Sequence, residues 1–216
     1  MINQFNIPNE IYKKIENLSY KIDNIGRSGD TIIIFEKKYI LKISSNKEKL
    51  KREKDKNDWL INYLPVNKSI CYYENDTTAY YLKSYIDGDS LINEKFINNP
   101  KTLIDLLAQA IKLLAQVDIS NCPFKSMDNI GNNFVHGDLC LPNILIKDGK
   151  VVGFIDLENS GKGDVWYDYS WALWSLSYNL ETNLYNNDFL NKINVKFNEE
   201  KFNQYIPKEY RKDFHI

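Results

Sequence analysis

Cysteine and histidine are scarce in this chain. The three cysteines, Cys71, Cys122 and Cys140, are odd in number, widely spaced and never in a C-x-x-C pair. That pattern excludes a disulfide framework and a cysteine-built zinc site, and it fits a reducing compartment. Two histidines, His136 and His215, are too few for a histidine-based metal centre. No apolar run approaches the roughly 20 residues of a membrane-spanning helix. Residues 1–8 have neither a basic segment nor an apolar core, so no signal peptide is expected. Charge of one sign is also missing, since 28 basic against 29 acidic residues leave a net charge of −1. Neither nucleic acid nor a membrane is therefore an expected partner, and the cytoplasm is the expected location. None of the nine glycines sits in a G-x-x-x-x-G-K-[ST] run, which excludes a P-loop nucleotide site.

What remains is enough for two small lobes: 216 residues, 43% hydrophobic, without internal repeats or a long linker. The first third reads as antiparallel strands over residues 19–25, 31–35 and 39–43, separated by turn residues. A helix is expected from about residue 47 to 63. A strand from Ala79 then runs to the turn at Asp87-Gly88. Asn99-Pro100 opens an amphipathic helix, with Asn at the cap and Pro at the first position. Its apolar face is Leu103, Leu106, Leu107, Ala110, Leu114 and Val117. Asp164 opens an aromatic-rich helix reaching about residue 179. The last forty residues read as helical with weaker periodicity, interrupted by Pro207.

The densest chemistry lies in Phe134-Val-His136-Gly-Asp138-Leu-Cys-Leu-Pro-Asn143-Ile-Leu-Ile146 and Val151-Val-Gly-Phe-Ile-Asp156, joined by the tight turn Lys147-Asp-Gly-Lys150. One loop and one hairpin thus present a carboxylate, an amide and a second carboxylate. Phosphoryl transfer of the kinase type uses that set: Asp138 would accept the acceptor hydroxyl proton, while Asn143 and Asp156 would hold magnesium. Magnesium takes oxygen ligands and keeps several waters, so two protein ligands suffice. The helix near residue 50 carries a misfit. Leu50, Asn57, Leu60, Ile61 and Leu64 share one face, and Glu53 falls within it. An inward carboxylate needs a partner, and Lys42, between Leu41 and Ile43, is the natural one. Gly26-x-Ser28-Gly29 reads as a hairpin turn whose backbone and Ser28 hydroxyl could cover phosphates.

His136-Gly-Asp138-x-x-x-x-Asn143, Gly153-Phe-Ile-Asp156-Leu and Gly161-x-x-Asp164-x-x-Tyr-Asp168 together resemble the aminoglycoside phosphotransferases, especially the 3'-phosphotransferase branch. Tyr39-Ile-Leu-Lys42 and Arg52-Glu53-Lys-x-x-x-x-Trp59-Leu60 resemble that family's lysine strand and glutamate helix. The resemblance spans about residues 20–180. It implies an α+β, two-lobed protein-kinase-like fold: an antiparallel-sheet nucleotide-binding lobe (residues 1–85) and a mostly helical catalytic and acceptor-binding lobe (residues 86–216). It implies ATP and Mg2+ as cofactors, with GTP not excluded, and a small-molecule hydroxyl as acceptor, an aminoglycoside first. By the same resemblance Asp138 is the catalytic base, Asn143 and Asp156 are the metal ligands, and Lys42 and Glu53 position phosphates. Ser28 lies near the terminal phosphates, and the backbone of Ser84 and Ile86 meets the adenine.

The departures concern the acceptor. The 3'-phosphotransferases carry an acidic helical insertion where this chain has only residues 124–133. Tyr178 stands where an acid is expected. Trp171, Trp174 and Tyr178, at i, i+3 and i+7, read as core packing, with an aromatic acceptor wall as the functional alternative. Two other readings stand beside the aminoglycoside one: a small-molecule kinase with a different acceptor, choline-like or another antibiotic, and a non-catalytic nucleotide-binding relic.

Overall fold

The computed structural model describes residues 2–23, 29–126 and 130–211. The chain forms two compact units. One comprises Met1–Ile61 with Val66–Asp87, and the other Asn62–Pro65 with Gly88–Ile216.

In the first unit a short helix, α1 (Asn9–Ile15), precedes five strands: β1 (Tyr20–Asp23), β2 (Thr31–Phe35), β3 (Tyr39–Ser44), β4 (Ser69–Glu74) and β5 (Ala79–Ser84). They pair antiparallel in the order β1-β2-β3-β5-β4. Alternation along the strands divides their side chains between two faces. Ile33, Phe35, Leu41, Tyr80 and Leu82 form a core with Ile11 and Ile15 of α1. Ala79 and Tyr81 turn the other way and pack against Leu50 of α2 (Lys47–Leu60). Asn46 caps α2, its side chain accepting from Lys49 N at 3.0 Å. The helix stops at Leu60, short of the expected residue 63. Pro65 disfavours helical backbone at Leu64, so the chain must leave the helix beforehand. Ile61, the C-cap, keeps helical backbone (φ −57°, ψ −20°) yet stands 43% exposed rather than on the buried face.

The second unit is mostly helical. β6 (Asp89–Ser90), α3 (Glu94–Ile97) and α4 (Pro100–Leu114) come first. Asn99 caps α4 by accepting from Thr102 N, and the expected apolar stripe is buried. β7 (Asn133–Val135) leads into the motif loop. β8 (Ile144–Lys147) and β9 (Lys150–Phe154) form the expected hairpin, with β6 on its edge. β10 (Gly161–Gly163) pairs with β7. α5 (Val165–Leu180), α6 (Asn186–Lys192) and α7 (Glu199–Tyr205) complete the unit. Asp164 caps α5 through Trp166 N at 3.0 Å, and α7 ends just ahead of Pro207. Phe154 N donates to Pro65 O at 2.9 Å, which ties 62–65 to this unit.

The β8–β9 turn has positive φ at both central residues, 50° at Asp148 and 71° at Gly149. That backbone twist matches the flanking strands. A Cβ at Gly149 would meet nothing within 4 Å, so only the backbone demands glycine there. Gly149→Ala is expected to destabilise the protein by about 1–2 kcal/mol, the strain of a left-handed residue bearing a side chain. Thermal denaturation checks this, and an unchanged midpoint would contradict the left-handed turn.

Candidate active site

β7 is short and buried at Phe134 and Val135, and it delivers His136, Gly137 and Asp138 into a loop held from three sides. From α5, the carboxylate of Asp168 accepts from His136 N at 2.6 Å and from Gly137 N at 2.9 Å. Two turns further along, Ser175 Oγ accepts from Leu141 N at 3.0 Å. Third, Gly137 has φ 80°, and a Cβ there would lie 2.3 Å from Asn159 O. No other residue fits that position, both for its backbone and for its space.

Asn143 closes the loop on itself. Its Nδ2 donates to Asp138 O and to Asp138 Oδ2, both at 2.9 Å. Asn143 N donates to Cys140 O, and Ile155 N to Asn143 O. The amide thus orients the Asp138 carboxylate through its nitrogen. Its oxygen carries no hydrogen bond from the described residues and is left as a hard donor. Asp156 follows β9 with φ 58°, a strained left-handed backbone that aspartate tolerates better than most residues. An amide oxygen and a carboxylate on adjoining segments form a donor set suited to magnesium.

Two neighbours can be assigned states. His136 is fully buried, its ring nitrogens without a hydrogen-bond partner among the described residues and its ring 6.0 Å from that of Phe154. Desolvation lowers its pKa, outweighing the pull of Asp138 and Asp156, so it is neutral and packs beneath the loop. Burial, with the Asp138 charge next, raises the Cys140 thiol well above its usual range. Cys140 is a thiol at neutral pH, which removes it as a nucleophile.

The first unit holds the lysine and glutamate. Lys42 Nζ lies 2.9 Å from Glu53 Oε2, with Lys42 4% and Glu53 1% exposed. A second lysine, Lys83, pairs with Glu53 Oε1 and is equally buried. Sequence reasoning missed it. The available signal was its position in β5, two residues after Tyr81, on the sheet face that Tyr81 and Lys42 share.

Ser84 ends β5. Its N–H donates to Lys68 O, and its carbonyl accepts from Asn67 Nδ2, both at 2.8 Å. Tyr85 N donates to Lys38 O. The N–H of Ile86 finds no acceptor among the described residues. This edge therefore offers the second lone pair of Ser84 O and one unspent donor. Ser28 lies outside the described residues.

The aromatic stripe departs from the core-packing expectation. Ala172, Leu173 and Leu176 take the buried positions of α5, while Trp171 and Trp174 are half-buried and Tyr178 is 49% exposed. Asp168 and Ser175 define the side of α5 that faces the motif loop, and the stripe lies about a quarter-turn round. Trp174 and Tyr178 stack at 5.0 Å, and Trp174 Nε1 donates to Tyr210 O at 2.9 Å. Tyr210 packs edge-on against both tryptophans.

Asp168→Asn tests the loop's anchor. An amide offers one acceptor where the carboxylate offers two, so one buried N–H loses its partner. The expected loss is about 1–3 kcal/mol of stability, together with a fall in turnover. A melting temperature and turnover equal to wild type would show that the loop holds its shape unaided.

Comparison with known proteins agrees with this geometry. The model of a phosphotransferase enzyme family matches residues 131–192, which contain the motif loop, the hairpin and α5. An aminoglycoside 3'-phosphotransferase of Staphylococcus aureus is 30% identical, over 73% of this chain and 77% of its own length. One of Enterococcus faecalis is 29% identical over 92% of this chain and 88% of its own length. The latter alignment spans 248 positions, more than the 216 residues here, so the relative carries segments without counterpart in this chain. Among solved structures, an aminoglycoside 3'-phosphotransferase of type VIII superposes with a TM-score of 0.75 at 16% identity, covering 95% of this chain and 97% of its own. An aminoglycoside phosphotransferase of Streptomyces rimosus in complex with ADP and streptomycin gives 0.75 at 14%, covering 90% and 93%. The structural likenesses carry the protein-kinase-like α+β fold, and the sequence likenesses carry the family. This chain belongs to the aminoglycoside phosphotransferases, and it is a phosphotransferase that acts on an alcohol group.

Proposed function

We propose that the chain transfers the terminal phosphoryl group of ATP, with Mg2+, to a hydroxyl of a small molecule in the cytoplasm. The observation that carries this reading is the double use of Asn143. Its nitrogen holds Asp138, and its oxygen is left for a metal beside the strained Asp156. Asp138 is half-buried, so its carboxylate can meet an incoming hydroxyl, and it accepts the proton as the oxygen attacks. Asn143 and Asp156 would hold magnesium, which when bound neutralises charge on the phosphates. In the other unit, Lys42, fixed by Glu53, is the cation for phosphate oxygens. The Ser84 carbonyl and Ile86 N–H suit the 6-amino group and N1 of adenine. The ADP and streptomycin held by the structural neighbour support a nucleotide donor and a hydroxyl-bearing acceptor.

An aminoglycoside carries several ammonium groups and is held by carboxylates spread over a wide surface. The side of α5 next to the motif loop instead presents Trp171, Trp174 and Tyr178, with Tyr210 against them. That surface favours an acceptor smaller or less cationic than kanamycin, one that lays an apolar or singly charged group on the rings.

Two measurements test these readings. Phosphate transfer from Mg-ATP across a panel of aminoglycosides, amino-alcohols and other hydroxylated antibiotics should reveal an acceptor. Asp138→Asn should then lose about 10²- to 10⁴-fold in turnover while keeping its melting temperature. Full turnover in that variant would remove Asp138 from the reaction. Within the panel, kanamycin-type drugs are expected to have the poorer kcat/KM. Efficient phosphorylation of kanamycin would return the acceptor to the aminoglycosides and leave the aromatic stripe a packing feature.

A further inference from the structure

Glu53 is shared by two lysines from neighbouring strands, and its two oxygens are divided between them. Oε2 meets Lys42 of β3 at 2.9 Å, and Oε1 meets Lys83 of β5. Each of the three residues is under 5% exposed. The antiparallel register opposes Lys42 to Tyr81 and Ile40 to Lys83, so the two lysines are diagonal neighbours on one face of the sheet. Lys83 is further confined by the ring of Tyr81, whose centroid lies 5.7 Å from its ammonium. That ring is fixed in turn, because Tyr81 Oη accepts from Asn57 Nδ2 at 3.1 Å and bonds Ser69 Oγ at 2.8 Å.

A glutamate held by one cation keeps a free rotation. Its last torsion joins sp³ to sp² carbon and is broad, so the carboxylate can turn about a single contact. Two contacts at separate oxygens stop that turning. By holding the other oxygen, Lys83 helps to fix the partner that Lys42 meets. We propose that Lys83 is a positioning residue for the nucleotide: it locks the carboxylate of Glu53, and through it the ammonium of Lys42, in the place that meets phosphate oxygens. The proposal rests on the reading of Lys42 as the phosphate cation. It adds that α2 reaches the sheet through a three-membered array, β3 to α2 to β5, rather than a simple pair.

Nucleotide affinity reads this without knowledge of the acceptor. Titration of the whole protein with Mg-ATP, by calorimetry or a fluorescent analogue, is compared across Lys83→Met, Lys83→Arg and Lys42→Met. Methionine keeps the apolar stem and removes the charge; arginine keeps the charge and can still engage Oε1. Lys83→Met is expected to weaken Mg-ATP binding about five- to tenfold, and Lys83→Arg to restore most of it. In a Lys42→Met background, adding Lys83→Met should change nothing further, because Lys83 acts through Lys42. A further loss in that background would mean direct contact with the nucleotide and would overturn the positioning role. A folded Lys83→Met protein that binds as wild type does, its melting temperature alone lowered, would make Lys83 structural only. Where Lys83→Met does not fold, Lys83→Arg decides: wild-type affinity supports the role and a fivefold loss refutes it. If the wild-type protein itself binds no Mg-ATP, the nucleotide reading fails and this one with it.

Discussion

A single carboxylate on a helix sets the shape of the motif loop. Asp168 meets two successive backbone N–H groups, His136 and Gly137, in a place with almost no water. Both groups need an acceptor there, since unpaired buried donors are costly. With the loop fixed at its start, Gly137 can take its left-handed turn against Asn159. Asp138 then emerges on the open side, where Asn143 can reach it. α5 is thus a structural helix whose first turns carry the loop and whose adjacent stripe carries aromatic surface.

The first unit uses buried charge differently. Lys42, Glu53 and Lys83 have left water together, and such an arrangement is weak evidence for stability, because desolvation offsets much of the attraction. Apolar residues of similar size would hold α2 to the sheet at least as well. The proposed role of Lys42 as the cation for phosphate oxygens would account for retaining three charges there.

Much of this was legible in the sequence, where local rules and global packing agree. Asn99 and Asp164 announced their helices by capping chemistry, Asp148-Gly149 announced the hairpin, and Glu53 on an apolar face announced a buried partner. Other features were hidden because they depend on pairing between distant strands. Lys83 reads as an ordinary lysine near a strand end, and only the β3–β5 register places it beside Lys42. Asp168 reads as one acid at the start of a helix, and its two N–H partners come from 31 and 32 residues away. The aromatic stripe was misjudged because spacing alone reports which residues share a face. It does not report whether smaller residues, here Ala172, Leu173 and Leu176, already fill the core.

Cys140 sits two residues from Asp138, a position that would attract an electrophile designed against this enzyme. Its thiol is held protonated by burial and by the neighbouring negative charge. Covalent modification proceeds through the thiolate, so maleimides and haloacetamides should label this site slowly at neutral pH and faster as the medium becomes alkaline. Reversible binders that hydrogen-bond the Asp138 carboxylate are the better chemical starting point, because that group is half-open to solvent and already oriented.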